Sequence, residues 1–492
     1  MNQNLFRLVF NAARGQVMAV SEVAVGKGKA ASGERRGRNV GLALFAFALS
    51  PLAWGQVIAD PNAAGNQKPQ IVTSANGVTQ VNIQTPSAAG VSRNVYSQFD
   101  VNAQGVILNN STGNVQTQLG GWVQSNGNLA GGSARVILNE INSSNPSQLR
   151  GFVEVAGQRA EVIIANPAGI AVNGGGFINA SGVTLTTGTP LMNGGNLDGY
   201  RVQRGTVTVE GAGLETGNAD FTNIIARAVQ VNAGIWAKDL KVTTGANDVN
   251  AANTSTTTIV GTGTAPTVAL DVAALGGMYA GKITLVGTEA GLGVTNAGSI
   301  AANGGALVVQ ANGMLTNTGL IEGQTALIKA TTVNNTGTGQ IYGDKVAIQA
   351  DTLNNAPAVV GQTAPVIAAR TGRMDLGVGT LNNQEGAIIY SQGDLAIGGS
   401  LDANNQATGR ANTITNNSAT IESLGSMDIK TQNLTNSYTS LTYQVDKVSE
   451  LPGSSSCGGD CYSNYTETTY RAVAVDGVNG AGKILASNNI TL

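Results

Sequence analysis

The chain has 492 residues, 67 of them glycine, with 42% apolar, 4% aromatic and only 11% charged residues. Glycine is about twice its usual ~7% share, and a core this poor in aromatics must be built from Val, Ile, Leu and Ala, which suit stacked strands. The absence of histidine excludes Ser-His-Asp hydrolysis, Cys-His catalysis and His-ligated zinc, and with a net charge of −2 no basic stripe for nucleic acid occurs after residue 55.

Residues 1–55 carry seven Lys/Arg and two Glu, a net +5, so the remainder carries −7. Val40 to Leu52 (VGLALFAFALSPL) is an apolar run of thirteen residues, shorter than the ~20 a bilayer-spanning helix needs. Lys27, Lys29, Arg35, Arg36 and Arg38 precede it and Ala53-Trp54-Gly55 follows. That is the order of a secretory signal peptide. Cleavage is expected after Gly55, leaving Gln56 first, with Ala59 as the second choice. A longer leader comes before this unit. Its residues Asn4, Leu5, Phe6, Arg7, Val9, Phe10, Asn11, Arg14, Gly15, Val20 and Glu22 resemble the extended signal peptide region of very large proteins exported by Gram-negative bacteria. No second apolar run of spanning length follows, so the mature chain is expected not to be embedded in a membrane.

From residue 56 to about 300 the composition stays the same but repeats are weak. Glu161-Val162-Ile163-Ile164-Ala165 reads as a strand, and Asn166-Pro167-Ala168-Gly169 as a tight turn after it, because proline sets one backbone angle and glycine permits a positive one. Four segments are distinctive: Gly90-Val91-Ser92-Arg93-Asn94-Val95-Tyr96-Ser97-Gln98-Phe99-Asp100-Val101, Leu108-Asn109-Asn110-Ser111, Arg135-Val136-Ile137-Leu138-Asn139-Glu140, and Ile163 to Ile170. Gly176-Phe177-Ile178-Asn179, Leu185 to Pro190, Ile235-Trp236-Ala237-Lys238 and Gly287 to Gly291 continue the series. Together they resemble the export-recognition domain of two-partner secretion proteins, the family of filamentous haemagglutinins and contact-dependent growth inhibition exoproteins. Arg93 stands where members often have His, and Asp100 where they have Asn. Val172 and Gly175 stand where some relatives carry a cysteine pair, so no disulfide is expected there. The resemblance implies a right-handed parallel β-helix and an outer-membrane β-barrel transporter as partner. It makes Asn109, Asn110, Asn166, Pro167, Ala168, Gly169 and Ile170 candidates for transporter contact. The turn reading favours a structural role for the 166–169 group, as a nucleus for the first coils, over transporter contact.

From the middle of the chain to its end a phrase recurs: Val294-Thr295-Asn296, Leu315-Thr316-Asn317, Val333-Asn334-Asn335 and Leu353-Asn354-Asn355, then Leu381-Asn382-Asn383, Ile414-Thr415-Asn416-Asn417 and Leu434-Thr435-Asn436. Alternating strands lie between, such as Ala306 to Ala311, Ala326 to Ala330 and Lys345 to Ala350. A period near 20 fits coils of a parallel β-helix stacked ~4.8 Å apart. The recurring asparagines are either a ladder of amides bonded between coils or turn residues. Segment 437–475 breaks the repeat and is expected as a projecting loop or hairpin. Cys457 and Cys461 inside it are either a small disulfide or two free thiols. The last residues, Gly482 to Leu492, read like the start of another coil, so the chain is expected to belong to a longer exoprotein.

The expected fold is therefore all-β, a right-handed parallel β-helix behind an extended signal peptide. Residues 1–55 form the signal, 56–300 the two-partner secretion domain and 301–492 haemagglutinin-type repeats. β-Helix enzymes need clustered acids; here the 27 acids after residue 55 are scattered, and Asp239, Asp248 and Asp271 read as isolated surface carboxylates. No catalytic residue, cofactor or metal is expected, and nucleic acid is not expected as a partner. Two roles remain: an adhesin displaying its rod to host cells, and the stalk of a contact-dependent toxin system facing a neighbouring bacterium. Both place the protein outside the cell, reached through the periplasm and outer membrane.

Overall fold

A computed structural model describes the backbone of residues 6–11 and 16–21 and residues 56–438, 442–475 and 480–492. The chain divides into two units, Met1–Leu52 and Ala53–Leu492. In the first, Phe6–Asn11 pairs antiparallel with Gln16–Ser21. The apolar run Val40–Leu52 and Gly55 lie outside the described residues.

The second unit is a parallel β-helix. Each coil contributes short strands to three ladders. One runs through Val91–Phe99, Val136–Ile141, Ala160–Ala165, Ala180–Thr186 and Thr222–Ala226. A second runs through Ser147–Leu149, Ile170–Val172, Thr206–Val209 and Ala228–Val231. The third runs through Thr79–Asn82, Val106–Asn110, Phe152–Gly157, Gly175–Ile178 and Leu214–Glu215. From Gly234–Thr244 onward some strands bend across two ladders: Gly277–Gly287, Ser299–Ala311, Leu320–Lys329 and Gln340–Ala356 do so. The strand Ser299–Ala311 crosses residue 300, so the coils are continuous where the sequence changes character.

Inward side chains form one long aliphatic core from Val57 to Ile429. In the repeats alternate residues point in, as in Met314–Asn317, where Leu315 and Asn317 are buried and Thr316 is not. The first coil is closed by antiparallel segments: Val57–Ala59 pairs with the Val91–Phe99 strand, and Gln70–Thr73 with Thr79–Asn82. This covers the strand edges that an open solenoid end would expose.

Two layers lie outside the coils. Thr189–Asn193, Asn196–Val202, Asn247–Asn250 and Thr256–Thr258 form a four-stranded antiparallel sheet. Its Tyr200, Val202 and Val249 pack on Val91, Val136, Leu138, Ile163, Ala165 and Ile225. The outer face of that ladder is therefore also buried, which explains the unbroken apolar run Val162-Ile163-Ile164-Ala165. Val115–Thr117 and Gly121–Val123 form a smaller hairpin, and Val123 packs against Ile107 and Ala156. Further on, Thr442–Gly458 pairs antiparallel with Cys461–Val475 in a two-stranded sheet of its own. Residues Lys483–Ala486 then resume the coil on Thr420–Ser423.

Candidate functional site

The candidate residues sit at corners of the first coils, and each amide is committed to the fold. Asn109 is fully buried. Its Nδ2 donates to Asn82 Oδ1 and to the Gln124 carbonyl, both at 2.9 Å, and its Oδ1 accepts from the Ser111 amide. Asn110, equally buried, donates to the carbonyls of Ala134 and Gln158 at 2.9 Å and accepts from the Ala134 amide at 2.7 Å. A buried amide that makes three bonds, with both its N–H donors used, ties the loops on either side to the coil.

The Asn166 turn is built the same way. Asn166 is fully buried; its Nδ2 donates to the Asn145 carbonyl and Ser147 Oγ at 3.0 Å, and its Oδ1 accepts from the Ala168 amide at 2.9 Å. The Gly169 amide closes the turn on the Asn166 carbonyl at 3.0 Å. Gly169 has φ +123°, a value that a side-chain-bearing residue reaches only with strain. Ile170 is buried, and only Pro167 and Ala168 are part-exposed. The two groups of candidates occupy different places, at the end of Val106–Asn110 and after Ala160–Ala165, and no hydrogen bond joins them among the described residues.

The distinctive segments do touch one another. Arg93 Nε is 2.8 Å from Glu140 Oε2, so the arginine of one segment pairs with the last residue of another on the adjacent strand. Asp100 accepts from the Gln148 amide at 2.8 Å and from Gln98 Nε2 at 2.6 Å. Its own amide donates to the Gln56 carbonyl, so the residue after the expected cleavage point is already bonded into the first coil. Tyr96 is fully buried, donates to Asn139 Oδ1 at 2.9 Å and meets Phe99 edge-on at 5.0 Å; burial pushes its phenol well above the usual range.

The asparagines of the repeats are a ladder. Asn296, Asn317, Asn335, Asn355, Asn383 and Asn416 are buried, and each donates from Nδ2 to the Oδ1 of the next, ending on Asn436, at 2.8–2.9 Å. Each also donates to a carbonyl of the neighbouring coil, as Asn355 does to Ile388 at 3.2 Å. The longer gaps in sequence are residues looped out between coils, such as the Ser400–Leu401/Ala407–Thr408 hairpin, and the ladder passes them intact. Below Asn296 the same inward position holds Leu149, Val172, Val209, Val231 and Val272 in successive coils. The column thus switches from aliphatic to amide between Val272 and Asn296, and Asn296 Oδ1 at the seam is buried without a donor.

The acidic residues read as isolated are not all so. Asp248 is held by a two-pronged contact from Arg201, at 2.9 and 2.7 Å, which keeps its carboxyl below the usual range. The pair lies across two strands of the outer sheet, whose existence the sequence pattern does not reveal. Asp239 is 3.8 Å from Lys282, and Asp271 accepts from Thr295 Oγ1. Arg227 pairs with Glu289 at 2.8 Å with both largely buried, lowering the Glu289 carboxyl. Among the described residues no group of three or more His, Cys, Asp or Glu is arranged to hold a metal, and no helix is long and apolar enough to cross a membrane. Cys457 and Cys461 lie at the tip of the long hairpin with Cα atoms 5.2 Å apart and their sulfurs bonded.

Residues 55–317 match the family model for the TPS secretion domain, more than half of the chain. The chain belongs to the TPS secretion domain family. Residues 1–51 match the extended signal peptide of the type V secretion system. A TPS secretion domain behind such a signal makes this a two-partner secreted exoprotein, carried across the outer membrane to the cell surface. Similar proteins include one named toxin CdiA from Yersinia pestis, 51% identical over 354 residues, which is 68% of this chain and 11% of that protein. Another is tRNA nuclease CdiA-2 from Burkholderia pseudomallei, 47% identical over 335 residues, 65% of this chain and 11% of that protein. A third is 16S rRNA endonuclease CdiA from Enterobacter cloacae, 48% identical over 279 residues, 56% of this chain and 8% of that protein. The chain spans about a tenth of the length of these relatives. Among solved structures, the filamentous hemagglutinin secretion domain aligns with a TM-score of 0.46 at 26% identity, over 77% of this chain and 96% of that one.

Proposed function

We propose that this TPS domain and its repeats form the exported base of a contact-dependent toxin-delivery exoprotein. The carrying observation is the 51% identity to a protein named toxin CdiA, over 354 residues, a stretch longer than the secretion domain itself. The proposal has three parts. An outer-membrane β-barrel transporter is the export partner. The signal is removed after Gly55, so that Gln56 enters the first coil at once. Asn109, Asn110 and Asn166 to Ile170 serve export through the turns they hold, with Pro167 and Ala168 the only part-exposed members of the turn group able to touch the transporter directly. The chain itself is taken to be non-catalytic, with any toxic activity carried elsewhere.

The adhesin role stands as the second reading, and one surface feature favours it. Phe152, Trp236, Tyr279, Tyr342 and Tyr390 share one outward coil position, linked strand by strand through Gly176, Glu215, Ala301, Glu322 and Ala368. Trp236 and Tyr279 lie nearly parallel, 6.3 Å apart. Such a line of part-exposed rings is a contact surface of the kind seen where proteins bind.

Co-culture decides between the two. Cells expressing the whole gene with its transporter are expected to inhibit contacting neighbours, and a transporter deletion to abolish both the inhibition and the extracellular protein. Normal growth of neighbours combined with host-cell binding lost on Trp236→Ala would replace the toxin reading with the adhesin one. Undiminished secretion without any such transporter would defeat both.

A further inference from the structure

The hairpin Thr442–Gly458/Cys461–Val475 is unusual for its length and exposure. Seventeen residues at ~3.3 Å each make an arm of about 55 Å. Val445, Val448, Leu451, Tyr462, Tyr465, Tyr470 and Val473 on it are all exposed. Among the described residues neither strand has a second neighbour, and a lone two-stranded ribbon is marginal in water.

Its two edges differ. The Thr442–Gly458 strand carries Pro452 and Gly453 and has a register shift between Lys447 and Ser449. Proline removes a donor and a bulge twists the edge away, the usual means of blocking edge pairing. The Cys461–Val475 strand has neither Pro nor Gly, and its register is regular from Tyr462 to Val475. That edge is unprotected.

Its only charged residues are Glu467 and Arg471. They point to the same face, four residues apart, and Thr469 lies midway. Two copies of this edge paired antiparallel about a two-fold axis through Thr469 would set Glu467 opposite Arg471 of the other copy, twice. The same register sets Tyr465 opposite Val473, and Tyr470 opposite Thr468. Within its own hairpin Arg471 already lies 3.8 Å from Asp446, so it would stand between two carboxylates.

We propose that the Cys461–Val475 edge is a self-association site, through which two copies of this exoprotein join their hairpins into a four-stranded antiparallel sheet centred on Thr469. The partner is a second copy because the edge is complementary to itself in charge and in apolar contacts at one register, which places both charges and both Tyr/Val pairs together.

The test is sedimentation of the purified secreted chain over a range of concentrations. A concentration-dependent dimer is expected. E467R and R471E each place like charges in opposition twice, and cross-strand charge pairs are worth up to about 1 kcal/mol each, so each variant is expected to weaken dimerisation roughly tenfold or more. The double exchange E467R/R471E restores the pairing and is expected to recover the dimer. Separately, T469C in a C457S/C461S background is expected to give a covalent dimer on oxidation, since opposed residues lie ~4.5–5.5 Å apart at Cα, within disulfide reach. A chain that stays monomeric at every concentration, a dimer indifferent to both single reversals, or a double exchange no tighter than the single variants would overturn the proposal. So would a dimeric T469C chain that cannot be cross-linked. Circular dichroism of each variant checks that the coils are unaltered.

Discussion

The asparagine ladder allows one substitution to be compared at two places. Asn355→Val in mid-ladder removes three hydrogen bonds: the one accepted from Asn335, and those donated to Asn383 Oδ1 and the Ile388 carbonyl. It leaves Asn383 Oδ1 buried and without that donor. Asn296→Val at the seam removes only two, to Asn317 Oδ1 and the Leu320 carbonyl. It also eliminates an acceptor, Asn296 Oδ1, that already lacks a donor, and leaves Asn317 Oδ1 in the same state, so the number of orphaned groups does not change. Both sites are buried to within 1%, so the transfer of a valine side chain cancels in the comparison. What remains is one hydrogen bond, about 1 kcal/mol net, and one orphaned polar group, about 1–3 kcal/mol. Asn355→Val is therefore expected to cost about 2–4 kcal/mol more than Asn296→Val, which only moves the seam up by one coil.

Denaturant unfolding of the two variants gives the difference. Hydrogen exchange of the amides in 340–390 against 290–325 keeps the result local, because a solenoid need not unfold in one step. Equal costs at the two positions would refute the reasoning, since they would show that the buried amides act as spacers and not as a bonded column. In a double-mutant cycle, Asn355→Val and Asn383→Val together are expected to cost less than the sum of the two, because the second change removes the acceptor orphaned by the first.

Three further outcomes follow from the same geometry. Asn166→Asp removes two donated bonds and buries a carboxylate facing the Asn145 carbonyl, so it is expected to destabilise the first coils by about 2–4 kcal/mol and to lower secretion; full stability with lost secretion would instead mark a direct transporter contact. Burial raises the Glu161 carboxyl despite its bond from Thr184, so the folded state holds that proton more tightly than the unfolded chain does. Stability from this group is complete at low pH and is lost as pH rises through its folded value; Glu161→Gln is expected to raise the melting temperature at neutral pH, with the gain vanishing as pH falls below the carboxylate range. Reducing Cys457–Cys461, or replacing both by Ser, is expected to leave coil unfolding unchanged, because the bond closes only the tip of a hairpin outside the core; a shifted coil transition by denaturant would contradict this.

Much of the fold is readable in the sequence because a β-helix is local. From Asn296 to Asn355 each coil pairs with the next about 20 residues on, so the recurrence of an apolar residue, x and Asn is a direct image of stacking. Two features escape that reading for the same physical reason. The outer sheet joins Asn196–Val202 to Asn247–Asn250, strands of mixed polarity whose pairing is set by distant neighbours. Arg201 and Asp248 thus look unrelated until the sheet is seen. The candidate site residues are legible as a pattern, and the structure adds where their polar atoms go. Asn109, Asn110 and Asn166 stand out in the sequence, but their polar atoms are spent inside the fold. A short polar residue at a coil corner signals a turn to be satisfied before it signals a partner.

The change of column from valine to asparagine places a physical boundary inside a structure that has no gap. Below the seam, the corner from Leu149 to Val272 is held by aliphatic contact within the core. Above it, the corner is joined by an amide column reaching from Asn296 to Asn436. Aliphatic stacking is non-directional and tolerates irregular coils, as the weak periodicity of the first part requires. An amide column is directional, so each asparagine aligns the next coil in register and makes addition of coils repetitive. For a chain that reaches the outside of the cell, this division is useful. The antiparallel closure at Val57–Ala59 and the bonded Asn166 turn both lie in the first part. The second must extend from there by nearest-neighbour contacts alone. The seam at Asn296 is where the aliphatic column ends and the amide column begins, and the first amide of that column has an oxygen with no donor below it.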